Sequence, residues 1–317
     1  MALIKKTQPA PKQAPDRSMM ITGDITRAYL DSILVEERLI GAELADIRTV
    51  IFGREYSSHV MMPAFSHLPS YAEGRYTGLV EYSIAAKELN ILNWIGMSDN
   101  ETYGTIALTG ADTVRIIKPY ADHTKILDRI AFAEAHDAVA VGMDIDHTFG
   151  RNGGYDVVIG EQMGPQSKDD LKEYIASTKL PFIIKGVLSL RDAAACAELG
   201  VGGIVVSHHH GSMPYALPPL MILPEIVKEL EGTGIEIFAY CGMDTGSDVF
   251  KAVALGAKAV SVGRAMLPAL QEGGTEGVKA KITQMNNELI RMLSFTGFRT
   301  PGEADATVLW KDGKPMA

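Results

Sequence analysis

Two short runs carry the groups best suited to chemistry: Ile183-Ile-Lys185-Gly-Val187 and Val205-Val-Ser207-His208-His209-His210-Gly211. Each begins as an apolar, β-branched segment and ends in a polar cluster, as a buried strand does where it opens at its carboxyl end. Lysine supplies a fixed cation, and imidazole moves protons near neutral pH. A cation and a base at such strand ends suggest a flavin redox site. The three histidines could instead ligate a metal, with Asp144, Asp146 and His147 nearby. Adjacent side chains diverge on an extended chain, so at most two would face one ion, and no metal is expected.

A second cluster suits an anion. Phe238-Ala-Tyr240-Cys241-Gly242 and Val260-Ser-Val-Gly263-Arg264 each bring a glycine to the end of an apolar run. Glycine lets backbone N–H groups approach a phosphate closely, and a following helix start adds its positive end. Two ordinary turns would read the same way, but the two together favour a phosphate site.

The elements that must position these groups alternate along the chain. Strands are expected at His59–Phe65, Asn90–Gly96, Thr113–Lys118, Ala138–Asp144, Phe182–Gly186, Gly203–Ser207, Glu236–Tyr240 and Ala259–Gly263, with amphipathic stretches between them. Eight strands, each followed by a helical pattern, predict an α/β fold: a single (β/α)8 TIM barrel over residues 19–317, after a mobile Pro/Lys/Gln-rich tail over residues 1–18. Lys118, Asp144, Lys185, Ser207, Tyr240 and Arg264 then share the carboxyl face, where such barrels build their sites.

The bulk properties exclude other classes. A net charge of −9 argues against nucleic acid or an anionic membrane as partner. No apolar run nears the roughly 20 residues of a membrane span, and the start is too weakly apolar for a secretory signal. Two distant cysteines, Cys196 and Cys241, form no disulfide framework. A cytoplasmic, reduced protein acting on a small molecule is expected.

From Leu171 to Arg299 the residues resemble the FMN-dependent α-hydroxy-acid oxidases and dehydrogenases, such as glycolate and lactate oxidase. The resemblance rests on Leu180-Pro-Phe-Ile-Ile-Lys-Gly-Val-Leu188, Gly203-Ile-Val-Val-Ser-His-His209, Gly246-Ser-Asp-Val-Phe-Lys-Ala-Val-Ala-Leu-Gly-Ala257, Val262-Gly-Arg264 and Thr296-Gly-Phe-Arg299. It implies FMN as cofactor and a homo-oligomer, often a tetramer. It gives Lys185 the place beside the flavin N1/C2 carbonyl, where it also serves catalysis, and His209 that of the catalytic base. Ser207, Pro63 and Ala64 would line the flavin, and Gly242, Gly263 and Arg264 would cradle its phosphate.

The same resemblance exposes departures. The family's Ser-Asn-His-Gly-Gly-Arg reads Ser207-His-His-His-Gly-Ser212, so the arginine that clamps a substrate carboxylate is lost. Asp-Gly-Gly-Ile-Arg reads Tyr240-Cys-Gly-Met-Asp244. Tyr240 is expected to replace the aspartate that orients His209, and Asp244, replacing a phosphate-binding arginine, to point away or pair with a cation. Gln-Leu-Tyr becomes Ile116-Ile117-Lys118, Thr-Val-Asp-Thr-Pro becomes Asp144-Ile-Asp-His-Thr148, and Met97 replaces a tryptophan over the substrate. Lys118 or His208 is expected to orient the substrate. The expected function is an FMN-dependent oxidoreductase acting on a small organic substrate other than an ordinary 2-hydroxy acid. The rivals are a non-catalytic flavin- or phosphate-binding paralogue and a flavin-dependent isomerase of similar fold.

Overall fold

The computed structural model describes residues 17–317. Eight parallel strands form the barrel: β1 (Val60–Met61), β2 (Asn93–Ile95), β3 (Thr113–Ile117), β4 (Ala140–Asp144), β5 (Phe182–Val187), β6 (Gly203–Val206), β7 (Glu236–Ala239) and β8 (Ala259–Ser261). They pair in sequence from β2 through β8 and back to β1. The Phe65–Ile95 bridge and the Gly96 N–H to Phe65 carbonyl bond close the ring between β1 and β2. All eight expected strands are present, seven with trimmed ends and β5 one residue longer than expected.

Strand composition explains the packing. The residues of β3, β4 and β6 are buried throughout, as in strands covered on both faces. Met61, Trp94, Ile116, Ala140, Ile183, Val205, Phe238 and Ala259 fill the barrel interior. The hairpin Thr49–Ile51/Arg54–Tyr56 adds Ile51 and Tyr56 to the same cluster. The outward residues join helices in a larger second core.

Helix α1 (Arg17–Ser32) precedes the barrel, and the expected tail lies outside the described residues except at 17–18, which already open this helix. The outer ring comprises α2 (Gly78–Leu89), α3 (Asn100–Ala107), α4 (His123–Ala135), α5 (Lys168–Ala176), α6 (Leu190–Leu199), α7 (Pro219–Glu229), α8 (Gly246–Ala254) and α9 (Leu267–Phe295). Their starts are encoded locally. Ser167 with Asp170 and Thr245 with Asp248 form reciprocal capping boxes at α5 and α8. Among the described residues, no helix is long and apolar enough to cross a membrane.

Candidate active site

Strand alternation delivers the polar groups. Two residues beyond the interior-facing Ile116, Ile183, Val205 and Phe238 come Lys118, Lys185, Ser207 and Tyr240; four beyond Ala140 comes Asp144. All five are buried at the barrel mouth.

Asp144 is the hub. Its Oδ2 accepts from Lys118 Nζ at 2.5 Å and its Oδ1 from Lys185 Nζ at 2.6 Å. Burial alone would push this carboxyl up, but the His209, Lys118 and Lys185 cations outweigh it and hold the group well below the usual carboxylate range. Burial lowers the Lys118 ammonium despite Asp144. It would also lower Lys185, but Asp144 and Asp146 raise that group.

His209 leans on the same carboxylates. Its Nδ1 lies 3.2 Å from Asp144 Oδ1 and 2.9 Å from both Asp146 Oδ1 and Lys185 Nζ. Among the described residues the Asp146 oxygens make no aligned hydrogen bond, so Asp146 acts here through charge. Burial opposes protonation of His209, but Asp144 and Asp146 overcome it and raise the imidazole above its ordinary value. The orienting carboxylates therefore come from the end of β4, which corrects the assignment of that role to position 240. Tyr240 instead points its hydroxyl at His210 Nε2, 2.7 Å away.

Other expectations change as well. Lys118, expected to orient a substrate, has its buried ammonium held by Asp144. His208 has both ring nitrogens engaged: its Nδ1 accepts from the Gly211 N–H, and its Nε2 meets Thr26 Oγ1 at 2.9 Å. It pins α1 to the turn after β6. Met97 is buried in the main core rather than lining an opening. Ser212 bonds the His209 carbonyl through its hydroxyl.

A cavity of about 700 Å³ opens beside this network, walled by Gly242, Gly263, Arg264, His208, His210 and Tyr240, with α1 on its other side. A side chain at Gly263 would place its Cβ 2.6 Å from the Tyr240 hydroxyl. His210 (φ 57°) and Cys241 (φ 80°) hold left-handed backbone where glycine is favoured. Arg264 is exposed, and among the described residues its guanidinium makes no hydrogen bond or ion pair. Among the described residues Asp244 forms no ion pair; it lies on the cavity wall, its carboxyl raised by burial and by Asp248.

Helix α1 was not anticipated as part of the site. Arg27 spends its guanidinium on Asp31, Asp248 and the Gly242 carbonyl, which fastens the helix to the β7 turn. The hydrophobic spacing of α1 could have revealed a helix, but not its docking place.

These residues fit a phosphorylated, ring-bearing ligand. The cavity volume suits a small cofactor. Arg264 and Gly242 line one end of it, and among the described residues the buried Ser207 Oγ has no hydrogen-bond partner. Pro63 and Ala64 follow β1, and Ala64 faces Lys185 and Tyr240 across a small gap.

The family model described as FMN-dependent dehydrogenase matches residues 151–311. The chain belongs to this family. A 2-hydroxyacid oxidase of Dictyostelium discoideum is 32% identical over 51% of this chain and 42% of its own length. A 4-hydroxymandelate oxidase of Amycolatopsis orientalis is 36% identical over 45% of this chain and 40% of its own. The chain thus matches well under half the length of these curated relatives. The solved structure of a mandelate oxidase variant with a monooxide FMN adduct superposes with a TM-score of 0.80 at 27% identity, covering 93% of this chain and 92% of that one.

Proposed function

We propose that this family member is an FMN-dependent oxidoreductase whose substrate is a small organic molecule without the usual 2-hydroxy-acid carboxylate. The observation that carries the reading is the union, at one barrel mouth, of an anion-ready cavity with the Lys185–Asp144–His209 network. Gly242, Gly263 and Arg264 would hold the FMN phosphate; Lys185, Ser207, Pro63 and Ala64 would hold its ring. When bound, FMN would supply the two-electron acceptor.

The chain's own residues supply the rest. His209, backed by two carboxylates, would take the substrate proton, and the buried Asp144 would stabilise the resulting imidazolium. Lys185 would keep a positive charge on the ring side of the mouth. The lost arginine at Ser212 and the captured Lys118 leave a substrate carboxylate without its bidentate clamp, which favours an uncharged donor. The family resemblance alone suggests a homo-oligomer, proposed to be a tetramer, and two buried free cysteines are compatible with a reducing, cytoplasmic setting.

Purified protein should be yellow or take up FMN at micromolar concentration, and a screen of uncharged alcohols under anaerobic conditions should bleach it. Lys185→Met should weaken FMN binding. A colourless protein that refuses added FMN would sink the assignment. FMN binding with no donor able to bleach it would point to the non-catalytic paralogue.

A further inference from the structure

The mouth holds one pair of side chains that the proposed chemistry does not yet use. His147, in a 3-10 turn after β4 (Ile145–His147), places its Nε2 2.7 Å from His209 Nε2. The rings meet edge to face, with centroids 4.0 Å apart and planes at 89°. On its far side, His147 Nδ1 bonds Asp156 Oδ2 at 3.0 Å. The side chains of His147 and Asp156 are 20% and 27% exposed, whereas that of Asp144 is 5% exposed. An unbroken chain of hydrogen bonds therefore runs from the buried carboxylates, through both imidazoles, to solvent.

We propose that His147, backed by Asp156, is a proton-relay residue that clears the proton His209 acquires. The proposal rests on reading His209 as the base. A contact of 2.7 Å between two imidazole nitrogens requires one proton between them. His209 is the donor because Asp144 and Asp146 favour its charged form, while burial and the neighbouring His209 charge push His147 down to about 4. Asp156 accepts from Nδ1, which fixes the neutral tautomer of His147 with its Nε2 lone pair toward His209.

The transfer balances without any change in electron count. The Nε2–H bond of His209 breaks as one forms at His147 Nε2; the Nδ1–H of His147 passes to Asp156, and the carboxyl releases it to water. His209 is left neutral, with Nδ1–H still toward the carboxylates. Exchange of the partly exposed His147 with water restores its starting tautomer. For substrate to reach Nε2, the His147 contact must open and reform once per cycle. A metal ion fits this cluster less well. Asp144, Asp146, His147 and His209 offer donors within 4.8 Å of one another, but two ammonium groups already neutralise Asp144.

The test uses full-length protein labelled with 15N-histidine and needs no substrate. Exchange of the His209 Nε2 proton with water is measured by NMR, with and without FMN. His147→Gln keeps an acceptor carbonyl beside Nε2 but cannot pass the proton on; exchange should slow at least about tenfold. Asp156→Asn, at the more exposed end, should slow it less. Unchanged or faster exchange in both variants would overturn the relay. A protein that refuses FMN would still report on the relay through this exchange. A protein with unchanged exchange that still binds FMN and is bleached by a donor would lose the relay and keep the proposed function.

Discussion

Around β7 and β8 the mouth leaves room and unpaired polarity: a cavity of about 700 Å³, a glycine at Gly263 that tolerates no Cβ, and an Arg264 guanidinium with no protein partner among the described residues. Across the barrel at β3 to β5, the charges at the mouth face one another, and two buried lysines share the Asp144 carboxylate. The first region is organised for a ligand that brings its own charge. The second is organised around itself, so it can hold and move a proton but has little to offer an incoming carboxylate. Under the proposed function, cofactor and substrate would thus be met by separate parts of one mouth.

Breaking the closed region should have the largest effect. Asp144→Asn leaves two buried ammonium groups without their carboxylate, and chemical denaturation should show a loss of about 3–5 kcal/mol. A change below about 1 kcal/mol would mean the ion network is solvated rather than closed.

Acid should reach the same region next. His147 and His208 are held down to about 4 and His210 to about 3, in each case first by burial, against an ordinary 6.5. They are neutral in the folded protein, while the unfolded chain binds protons from about pH 6.5 downward. Their stabilisation is complete above that pH and falls as pH drops to about 4, or about 3 for His210, each group losing about 1.4 kcal/mol per unit. His209, raised in the fold, is protonated in both states across this window and does not offset the loss. Thermal melts should show the decline. His59, at the opposite end of the barrel, is also lowered to about 4, by burial, and its carbonyl contact to Lys258 lies far from the mouth. If His59→Asn alone flattened the curve, the mouth histidines would not be its source.

The open region should respond more mildly and through the ligand. Arg264→Ala should cost FMN about 1.5–3 kcal/mol of affinity and riboflavin almost nothing, by fluorescence titration. Asp244→Asn should strengthen FMN binding by less than about 1 kcal/mol. Equal effects on both ligands would deny that this end reads phosphate.

Much of this was legible in the residues. Eight apolar runs bounded by turns specified eight strands, and alternation from Ile183 to Lys185 or Phe238 to Tyr240 placed the right side chains in the mouth. Alternation says which face a group occupies but not which neighbour it meets. The hub role of Asp144 and the contact of His147 with His209 depend on distances between strands, which no single run encodes. Matching position 240 to an orienting aspartate failed for that reason: carboxylates from β4 do that work in space. The grip of Arg27 on Asp248 joins residues 221 positions apart, so nothing local announces it.

His210 and Cys241 hold left-handed backbone at positions where the resembling family carries glycine, and the His210 ring receives the Tyr240 hydroxyl. These exchanges constrain the order in which the mouth could be rebuilt. Returning His210 to glycine relaxes one turn but strands the tyrosine hydroxyl in a buried place. Returning Tyr240 to aspartate instead leaves His210 strained without its partner and brings another carboxylate toward the Asp144 network. Each single step leaves one partner of the Tyr240–His210 contact behind, whereas the paired change removes both together. Engineering or natural drift between the two forms of this mouth should therefore proceed by coupled substitutions, with the two positions behaving as one inherited unit.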